Sequence, residues 1–391
     1  MTTKRICTRC VIDTTVPGVT FDENGVCNYC KIHNSIEQDW PQGEAGQQRV
    51  EAIVKKIKAQ GEGKDYDCIV GVSGGTDSTY TLYLTKELGL RPLAVYFDNG
   101  WSTEISVRNI KRALSKLDVD LQTYVVDWEE FKDLQKAFLK ASFAWADAPT
   151  DKAITTTLYR VAKEEGLKHI IVGRSFRTEG KMPREWCYSD TRTVNYIQEN
   201  FGTKPLQSFP NMTPFELFRY NFIDNIKYIL LLNYVDYSKA KTKEFLQKEL
   251  DWEYYGGHHY ENIYTRFVYS YLLPQKFGID KRKITHSALV RNNEITRSEA
   301  LNIVQTPPLP GNKLEEDIEY VIKKLGLTHE EFDEIMTLPP KDYRDYPSYF
   351  PLFEFFSPLI KVLSGPLLSW TPPFIREIEG RKQQKDKFGV S

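Results

Sequence analysis

The sequence lacks any apolar run approaching the ~18 residues needed to cross a bilayer. The longest candidate, Tyr228-Ile-Leu-Leu-Leu-Asn-Tyr-Val235, is too short, so no membrane span is expected. The opening residues, Met1-Thr-Thr-Lys-Arg-Ile-Cys7, hold no apolar signal region, so export is not expected and the cytoplasm is the expected compartment. Net charge is also missing: 52 Lys and Arg against 53 Asp and Glu leave −1. No global basic field draws the chain to nucleic acid or to an anionic membrane, so any phosphate must be held by local devices. Cysteine is scarce, six in 391 residues, which is too few for a disulfide scaffold. Two common nucleotide signatures are absent as well, the Walker Gly-Lys-Ser/Thr and the dinucleotide Gly-x-Gly-x-x-Gly.

What is present describes a folded chain. Hydrophobic residues make up 41% and charged residues 27%, and aromatics reach 13% with 23 tyrosines, which suits aromatic-lined pockets or interfaces. The length predicts two to three domains at ~150 residues each. Residues 1–48 read as a cysteine-punctuated, turn-rich segment with a polar linker from Ile36 to Gln48. Residues 49–190 read as an α/β domain and 191–391 as a mostly helical region for substrate and partner. A helix is expected over 49–60, where Val50, Ile53, Val54 and Ile57 share one face. Strands are expected over 67–72, 91–97, 121–126 and 168–173. They alternate with helices over 77–88, 104–117, 128–145 and 151–165. That alternation argues for a doubly wound parallel sheet covered on both faces. Residues 211–250 read as helical. Residues 313–336 read as a helical hairpin, with a capping box of Thr328 and Glu331 and a staple of Leu327 on Phe332. The aromatic run Tyr349-Phe-Pro-Leu-Phe-Glu-Phe-Phe356 reads as a packed edge rather than a partner surface, and the tail from Gly380 as frayed.

Four of the cysteines form two knuckles, Cys7-Thr-Arg-Cys10 and Cys27-Asn-Tyr-Cys30, with sixteen residues between them. Two Cys-x-x-Cys pairs at this separation match four-thiolate zinc spacing, and a closed tetrahedral site leaves no room for a catalytic water. A structural Zn²⁺ is therefore expected, against a redox pair or chance spacing. A segment with so little core of its own would fold on the metal.

The second motif is Ser73-Gly-Gly-Thr-Asp-Ser78, directly after a strand and opening a helix. Glycines allow close backbone approach, and amides at a helix N-terminus point at an anion. The candidate ATP-binding residues are Ser73, Gly74, Gly75, Thr76, Asp77 and Ser78. Asp98, Gly173 and Arg174 join them from the carboxyl ends of neighbouring strands. Asp77 is the candidate Mg²⁺ carboxylate and Lys181 a second candidate catalytic group; Arg177 is weighed with Arg174 and Lys181 for phosphate. The bland reading is a glycine-rich turn with ordinary polar loop residues. A third stretch gathers Lys276, Lys281, Lys283, Arg266, Arg282, Arg291 and Arg297 against Glu261, Asp280 and Glu294. It suits a diphosphate-bearing ligand, with paired His258 and His259 for a sugar or base, and it equally suits a solvated basic face.

Ser-Gly-Gly-x-Asp-Ser after a strand resembles the loop of the PP-loop ATP pyrophosphatase superfamily. The knuckles, that loop, Trp252-Glu-Tyr-Tyr-Gly-Gly-His-His-Tyr-Glu261, Thr265-Arg-Phe267 and Leu273-Pro-Gln-Lys-Phe-Gly-Ile-Asp-Lys-Arg282 together resemble the N-acetyl sugar amidotransferases of the WbpG/PseA type. The resemblance implies conversion of a sugar acetamido group to an acetamidino group with ATP and ammonia, in surface-polysaccharide or other glycan biosynthesis. It implies a separate HisH-like glutaminase as the ammonia source, alone or with a HisF-like cyclase homologue. His258, His259, Arg266, Lys281 and Arg282 are then the candidate substrate residues. Competing readings are a PP-loop tRNA sulfurtransferase, which usually needs a catalytic cysteine near the loop, and a non-catalytic scaffold. Only Cys68 and Cys187 lie outside the knuckles.

Overall fold

A computed structural model describes residues 4–309 and 311–356. The expected frayed tail lies outside the described residues.

Five parallel strands form one sheet: β1 Cys68–Gly71, β2 Pro92–Asp98, β3 Leu121–Val125, β4 His169–Ile171 and β5 Lys227–Ile229, in the order β3-β2-β1-β4-β5. The helices, in chain order, begin with α1 Asn28–Asp39, α2 Gly43–Gln60, α3 Thr76–Glu87, α4 Glu104–Leu117, α5 Trp128–Lys140 and α6 Ala148–Glu164. There follow α7 Phe176–Glu179, α8 Arg184–Cys187, α9 Thr191–Phe201, α10 Pro214–Phe218, α11 Lys239–Leu250 and α12 Ile263–Phe267. The last are α13 Arg282–Arg291, α14 Arg297–Gln305, α15 Lys313–Leu325 and α16 His329–Thr337. Wider π-type turns run over Arg219–Ile223 and Val268–Phe277. No helix among the described residues is long and apolar enough to cross a membrane.

The central strands are continuous apolar runs because both faces are covered. One face carries Cys68, Val70 and Val72 against α2 and Leu82 of α3. The other carries Ile69, Leu93 and Val95 against Leu158 and Val161 of α6. The chain winds β1, β2, β3 to one side, then returns to β4 on the other, so the strand order reverses between β1 and β4. Ligands of open α/β sheets sit at that reversal, beyond the carboxyl ends of the strands.

Four expectations change. The helical reading of 211–250 gives way to α10, a π turn, β5 and a short 3-10 turn at Leu231–Asn233, with a long helix only from Lys239. A short apolar run such as Tyr228-Ile-Leu does not tell strand from helix by periodicity, and β5 pairs on one side only, with β4. The polar linker at 36–48 is mostly helix. Gly46 sits inside α2, where an added Cβ would lie 2.4 Å from the carbonyl oxygen of Tyr234. The helix expected over 128–145 stops at Lys140, and Ser142 turns the chain with φ 53°. The aromatic run is not a packed edge throughout. Residues 350–356 are helical, so their side chains fan around an axis: Phe350 packs on Tyr188 and Tyr343, while Leu352, Phe355 and Phe356 are exposed.

The capping box of Thr328 and Glu331 is present, and Leu327 and Phe332 are buried in the same core.

Candidate functional site

The Ser73–Ser78 loop bridges the end of β1 and the first turn of α3. Gly74 has φ 76°, and a Cβ there would lie 2.2 Å from the Ser106 carbonyl oxygen of α4. Gly173, just past β4, would place a Cβ 2.5 Å from the carbonyl of Asp77 and 2.6 Å from the Ser78 nitrogen. Glycine is thus required where two neighbouring elements close onto the loop. Ser78 Oγ accepts from the Ser73 amide and lies 3.1 Å from Ser73 Oγ, which in turn accepts from the Gly75 amide at 3.3 Å. These hydroxyls and amides face a cavity of about 2110 Å³.

Asp77 does not stand alone. The Tyr237 hydroxyl donates to its Oδ1, and Lys239 Nζ lies 3.1 Å from its Oδ2. Burial beside this carboxylate pushes the Tyr237 hydroxyl well above its ordinary pKa. Burial works against the charge on Lys239, yet Asp77 and Glu179 raise its pKa. Lys239 also lies 3.1 Å from His258 Nδ1.

The 254–261 segment closes over the loop. The Thr76 amide donates to the Tyr255 hydroxyl at 3.2 Å, and Ser73 Oγ donates to Glu261 Oε1 at 3.5 Å. Gly256 has φ 101°, and a Cβ on Gly257 would meet the Tyr260 ring at 2.5 Å, so the two glycines permit the tight turn. His258 and His259 follow with ring centroids 3.8 Å apart, and His259 adopts the left-handed φ of 62°. Such strain in a non-glycine residue clusters at functional sites. The two rings part electrostatically. Burial, then His259 and Lys239, hold the His258 pKa well below the ordinary value. Burial also disfavours charge on His259, but the Glu261 carboxylate beside it raises its pKa.

The remaining sequence candidates divide. Gly173, Arg174 and Lys181 line the cavity, Arg174 reaching Asp151 at 3.3 Å. Lys281 lines it with Nζ 4.0 Å from the centre of the Tyr269 ring, and burial lowers its pKa. Asp98 is not among the lining residues; its carboxylate turns back to accept from the Gly100 amide at 2.9 Å, and the neighbouring Asn99 faces the cavity instead. Arg266 and Arg282 touch the cavity wall but spend their donors inside the protein. Arg266 makes a two-point pair with Asp317 at 2.6 and 2.7 Å. Arg282 grips Asp280 at 2.8 Å and holds the end of α14 through the carbonyls of Ile303 and Thr306. Arg177 turns away altogether, to Glu37 at 2.7 Å and the Trp40 carbonyl at 2.8 Å.

Sequence reasoning missed Tyr237, Lys239, Tyr255, Glu179 and Asp147. Asp147 is 4% exposed at the cavity wall, accepts from Thr265 Oγ1 at 2.6 Å, and is pushed up to about 6 by burial and by Asp151. Tyr255 and Glu261 belong to a quoted motif and were available to weigh. Tyr237 and Lys239 sat in a stretch read as plain helix and gave no signal.

The second site is the cysteine cluster. Cys7, Cys10, Cys27 and Cys30 are fully buried, and their sulfurs all lie within 4.8 Å of one another. The Cys7 sulfur also accepts from the Cys27 amide at 3.2 Å and from the Arg9 amide at 3.4 Å. Four sulfurs so placed could hold one metal ion. The knuckles dock on α13 and α14. Arg297 donates to the Cys7 and Cys10 carbonyls, Ser287 accepts from the Val11 amide at 3.1 Å, Lys283 pairs with Asp13 at 2.8 Å, and Arg291 donates to the Tyr29 carbonyl at 2.9 Å. Lys283, Ser287 and Arg291 are spaced by four, so one stripe of α13 faces the knuckles. Thr285, His286 and Leu289 of the same helix line the cavity.

Residues 261–359 match the family model described as LPS biosynthesis protein WbpG-like, C-terminal domain. That stretch is similar to the WbpG-like C-terminal domain. It supplies Glu261, which touches the loop, and α13, which joins cavity and knuckles. Over 138 residues the chain is 33% identical to an uncharacterized protein of Methanocaldococcus jannaschii, an alignment covering 34% of this chain and 46% of that relative. The chain thus spans about half the length of that curated relative. Among solved structures, a predicted subunit of a tRNA methyltransferase from M. jannaschii shares 11% identity with a TM-score of 0.28, covering 56% of this chain and 92% of that one. NMN synthetase from Francisella tularensis shares 11% with a TM-score of 0.27, covering 56% and 89%. The U34-tRNA thiolase NcsA from Methanococcus maripaludis, with its 4Fe-4S cluster, shares 13% with a TM-score of 0.30, covering 83% and 89%. At these scores the three are likenesses and nothing more.

Proposed function

We propose that the protein is an ATP-dependent, AMP- and pyrophosphate-forming amidotransferase that converts the acetamido group of an N-acetylated, nucleotide-linked sugar to an acetamidino group. The observation that carries the reading is the closure of the 254–261 segment on the Ser73–Ser78 loop, through Tyr255 at 3.2 Å from the Thr76 nitrogen and Glu261 at 3.5 Å from Ser73 Oγ. A phosphate loop and the edge of the WbpG-like domain share one cavity. Its volume of about 2110 Å³ exceeds the roughly 300–1,000 Å³ usual for one small ligand and leaves room for ATP and a sugar donor together.

The chemistry follows from the poor leaving ability of an amide oxygen. The acetamido oxygen attacks the α-phosphorus, the α–β phosphoanhydride bond breaks, and pyrophosphate leaves with the electron pair. Neutral ammonia then adds to the activated carbon and loses a proton, and the carbon–oxygen bond breaks to release AMP. The product amidine is protonated where the amide was neutral. Loop amides and the Ser73 and Ser78 hydroxyls hold the departing pyrophosphate. Arg174, Lys181 and Lys239 supply positive charge at the cavity wall. Mg²⁺, when bound, would neutralise phosphate charge; Asp77 would hold it only by giving up Tyr237 or Lys239, which take its two oxygens here. Ammonia comes from a partner, a HisH-like glutaminase, and the reaction takes place in the cytoplasm.

The knuckle metal is Zn²⁺ in this reading. Sulfur–sulfur distances of 3.7 Å for Cys10–Cys27 and Cys27–Cys30 and 3.9 Å for Cys7–Cys30 suit a single ion. A tetrahedron with zinc–sulfur bonds of ~2.3 Å has edges of about 3.8 Å. A cubane iron–sulfur cluster, in which each thiolate binds its own iron, spreads the sulfurs further.

The tRNA sulfurtransferase reading has less support. Among the described residues Cys187 is the one cysteine lining the cavity, while Cys68 is fully buried in β1. A cysteine pair near the loop is therefore not offered. The scaffold reading fits poorly with a loop whose serines and glycines keep their places. The deciding experiment incubates the protein with ATP, Mg²⁺, an ammonium salt and a panel of acetamido sugars, and measures pyrophosphate. Release that needs both sugar and ammonium supports the proposal. ADP and phosphate as products, or sulfur transfer to tRNA without ammonia, would refute it.

A further inference from the structure

We propose that Lys239 is a positioning residue that fixes His258 as a neutral imidazole with its proton on Nε2, and that His258 donates that N–H to the oxygen of the reacting adenylated amide. The second half rests on the reaction proposed above; the first does not.

The tautomer follows from donor counting. A lysine ammonium has three donors and no acceptor. Lys239 Nζ lies 3.1 Å from Asp77 Oδ2 and 3.1 Å from His258 Nδ1, so His258 Nδ1 must accept and the ring proton must sit on Nε2. Tyr237 holds the other oxygen of Asp77, which leaves the carboxylate pinned at both ends. The chain Tyr237–Asp77–Lys239–His258 thus runs from the phosphate loop to the ring.

His258 Nε2 has no protein partner among the described residues. It is not among the buried atoms left unsatisfied either, and the residue lines the cavity, so this N–H opens to the ligand space. The turn that delivers it is special: Gly256 at φ 101°, Gly257 against the Tyr260 ring, and His259 at φ 62°. His259, His286, Lys239 and Lys243 each disfavour a second proton on His258, and Glu179, Glu261 and Glu294 line the same cavity. The carboxylates Asp77, Glu179 and Glu261 act on Lys239 and keep it charged.

A neutral donor has a specific use here. The acetamido oxygen must be nucleophilic when it attacks phosphorus, and an imidazolium would protonate or quench it. A neutral N–H leaves it free to react and then strengthens its hydrogen bond as AMP departs and that oxygen takes up charge. A preorganised donor of this type acts at the transition state.

The test uses the full chain with ¹⁵N-labelled histidine, of which there are six. In wild type the His258 ring shows protonated Nε2 and bare Nδ1 at neutral pH, and takes up a second proton only well below the ordinary histidine range. Lys239→Met mixes the tautomers and moves the titration up, with burial still holding it below the free value, while Lys239→Arg, also a donor without an acceptor, keeps the proton on Nε2. His258→Phe lowers kcat for pyrophosphate release by about 100-fold with the ATP KM retained. A wild-type ring protonated on Nδ1, or charged at neutral pH, overturns the lock, as does an unchanged tautomer in Lys239→Met. His258→Phe within two-fold of wild type overturns the donor role. A locked tautomer in a protein that releases no pyrophosphate with any acetamido sugar would instead overturn the reaction and leave the lock standing.

Discussion

Arg266 and Asp317 face each other across 51 residues in a two-point ion pair, at 2.6 and 2.7 Å, with both side chains buried. The arginine that the sequence offers to a sugar phosphate is already matched by a carboxylate on α15. Removing one partner leaves an uncompensated buried charge, which costs about 3 to 5 kcal/mol. Arg266→Ala is therefore expected to unfold at lower denaturant concentration, measured by circular dichroism. A variant of wild-type stability but raised sugar KM would return Arg266 to substrate binding.

Lys281 and Arg282 should separate in kinetics. Lys281 lines the cavity with its ammonium over the Tyr269 ring, so Lys281→Ala raises the KM for the sugar more than for ATP. Arg282 is held by Asp280 and by backbone carbonyls of α14, so Arg282→Ala lowers stability first. Steady-state kinetics beside thermal melts of both variants check the split.

Asp77→Asn keeps the shape of the loop while removing its charge. Losing a charged contact to the transition state costs about 3 to 4 kcal/mol, or roughly 100- to 1,000-fold in rate. Pyrophosphate release should fall by that factor with the far-ultraviolet spectrum unchanged. Near-full turnover would remove Asp77 from the mechanism.

Asp147 gives a pH signature of stability. Its pKa is raised to about 6 in the folded protein by burial and by Asp151, above the unfolded ~3.9. Between those values the folded state binds more protons than the unfolded state, so stability falls as pH rises from about 4 to about 6. Asp147→Asn keeps an acceptor for Thr265 and should raise the melting temperature at pH 7, by an amount corresponding to about 3 kcal/mol at most, with no gain at pH 4. Parallel melting curves for the two variants would reject the argument.

Cys10→Ser should lose the metal and loosen the segment around α1. Elemental analysis of protein purified without chelator and hydrogen exchange over residues 4–40 measure both effects. Protein with all four cysteines that contains no metal would sink the assignment.

Much of the sheet was legible because β1, β2 and β4 are buried on both faces and read as unbroken apolar runs between turn residues. β5 escaped because it has three half-buried residues inside a run that fits helix equally well. The loop was legible because its glycines and serines are consecutive in the chain. Its charge partners were not: Tyr237 meets Asp77 across 160 residues, and no local pattern in 211–250 marks either Tyr237 or Lys239 as a site residue. The basic stretch misled in one respect. Counting Arg266, Lys283 and Arg297 as available charge overlooks Asp317, Asp13 and the knuckle carbonyls, which lie far away in sequence, and Asp280, though counted, is spent on Arg282.

The stripe of Lys283, Ser287 and Arg291 on α13 makes one rigid lever common to two ligands. Whatever metal binding contributes to the placement of α13, occupation of the cavity returns in equal measure to the metal, because thermodynamic coupling is reciprocal. On the proposed reaction, more chelator should therefore be needed to empty the knuckles of protein saturated with an acetamido sugar than of free protein, and metal-depleted protein should lose sugar affinity before it loses nucleotide affinity.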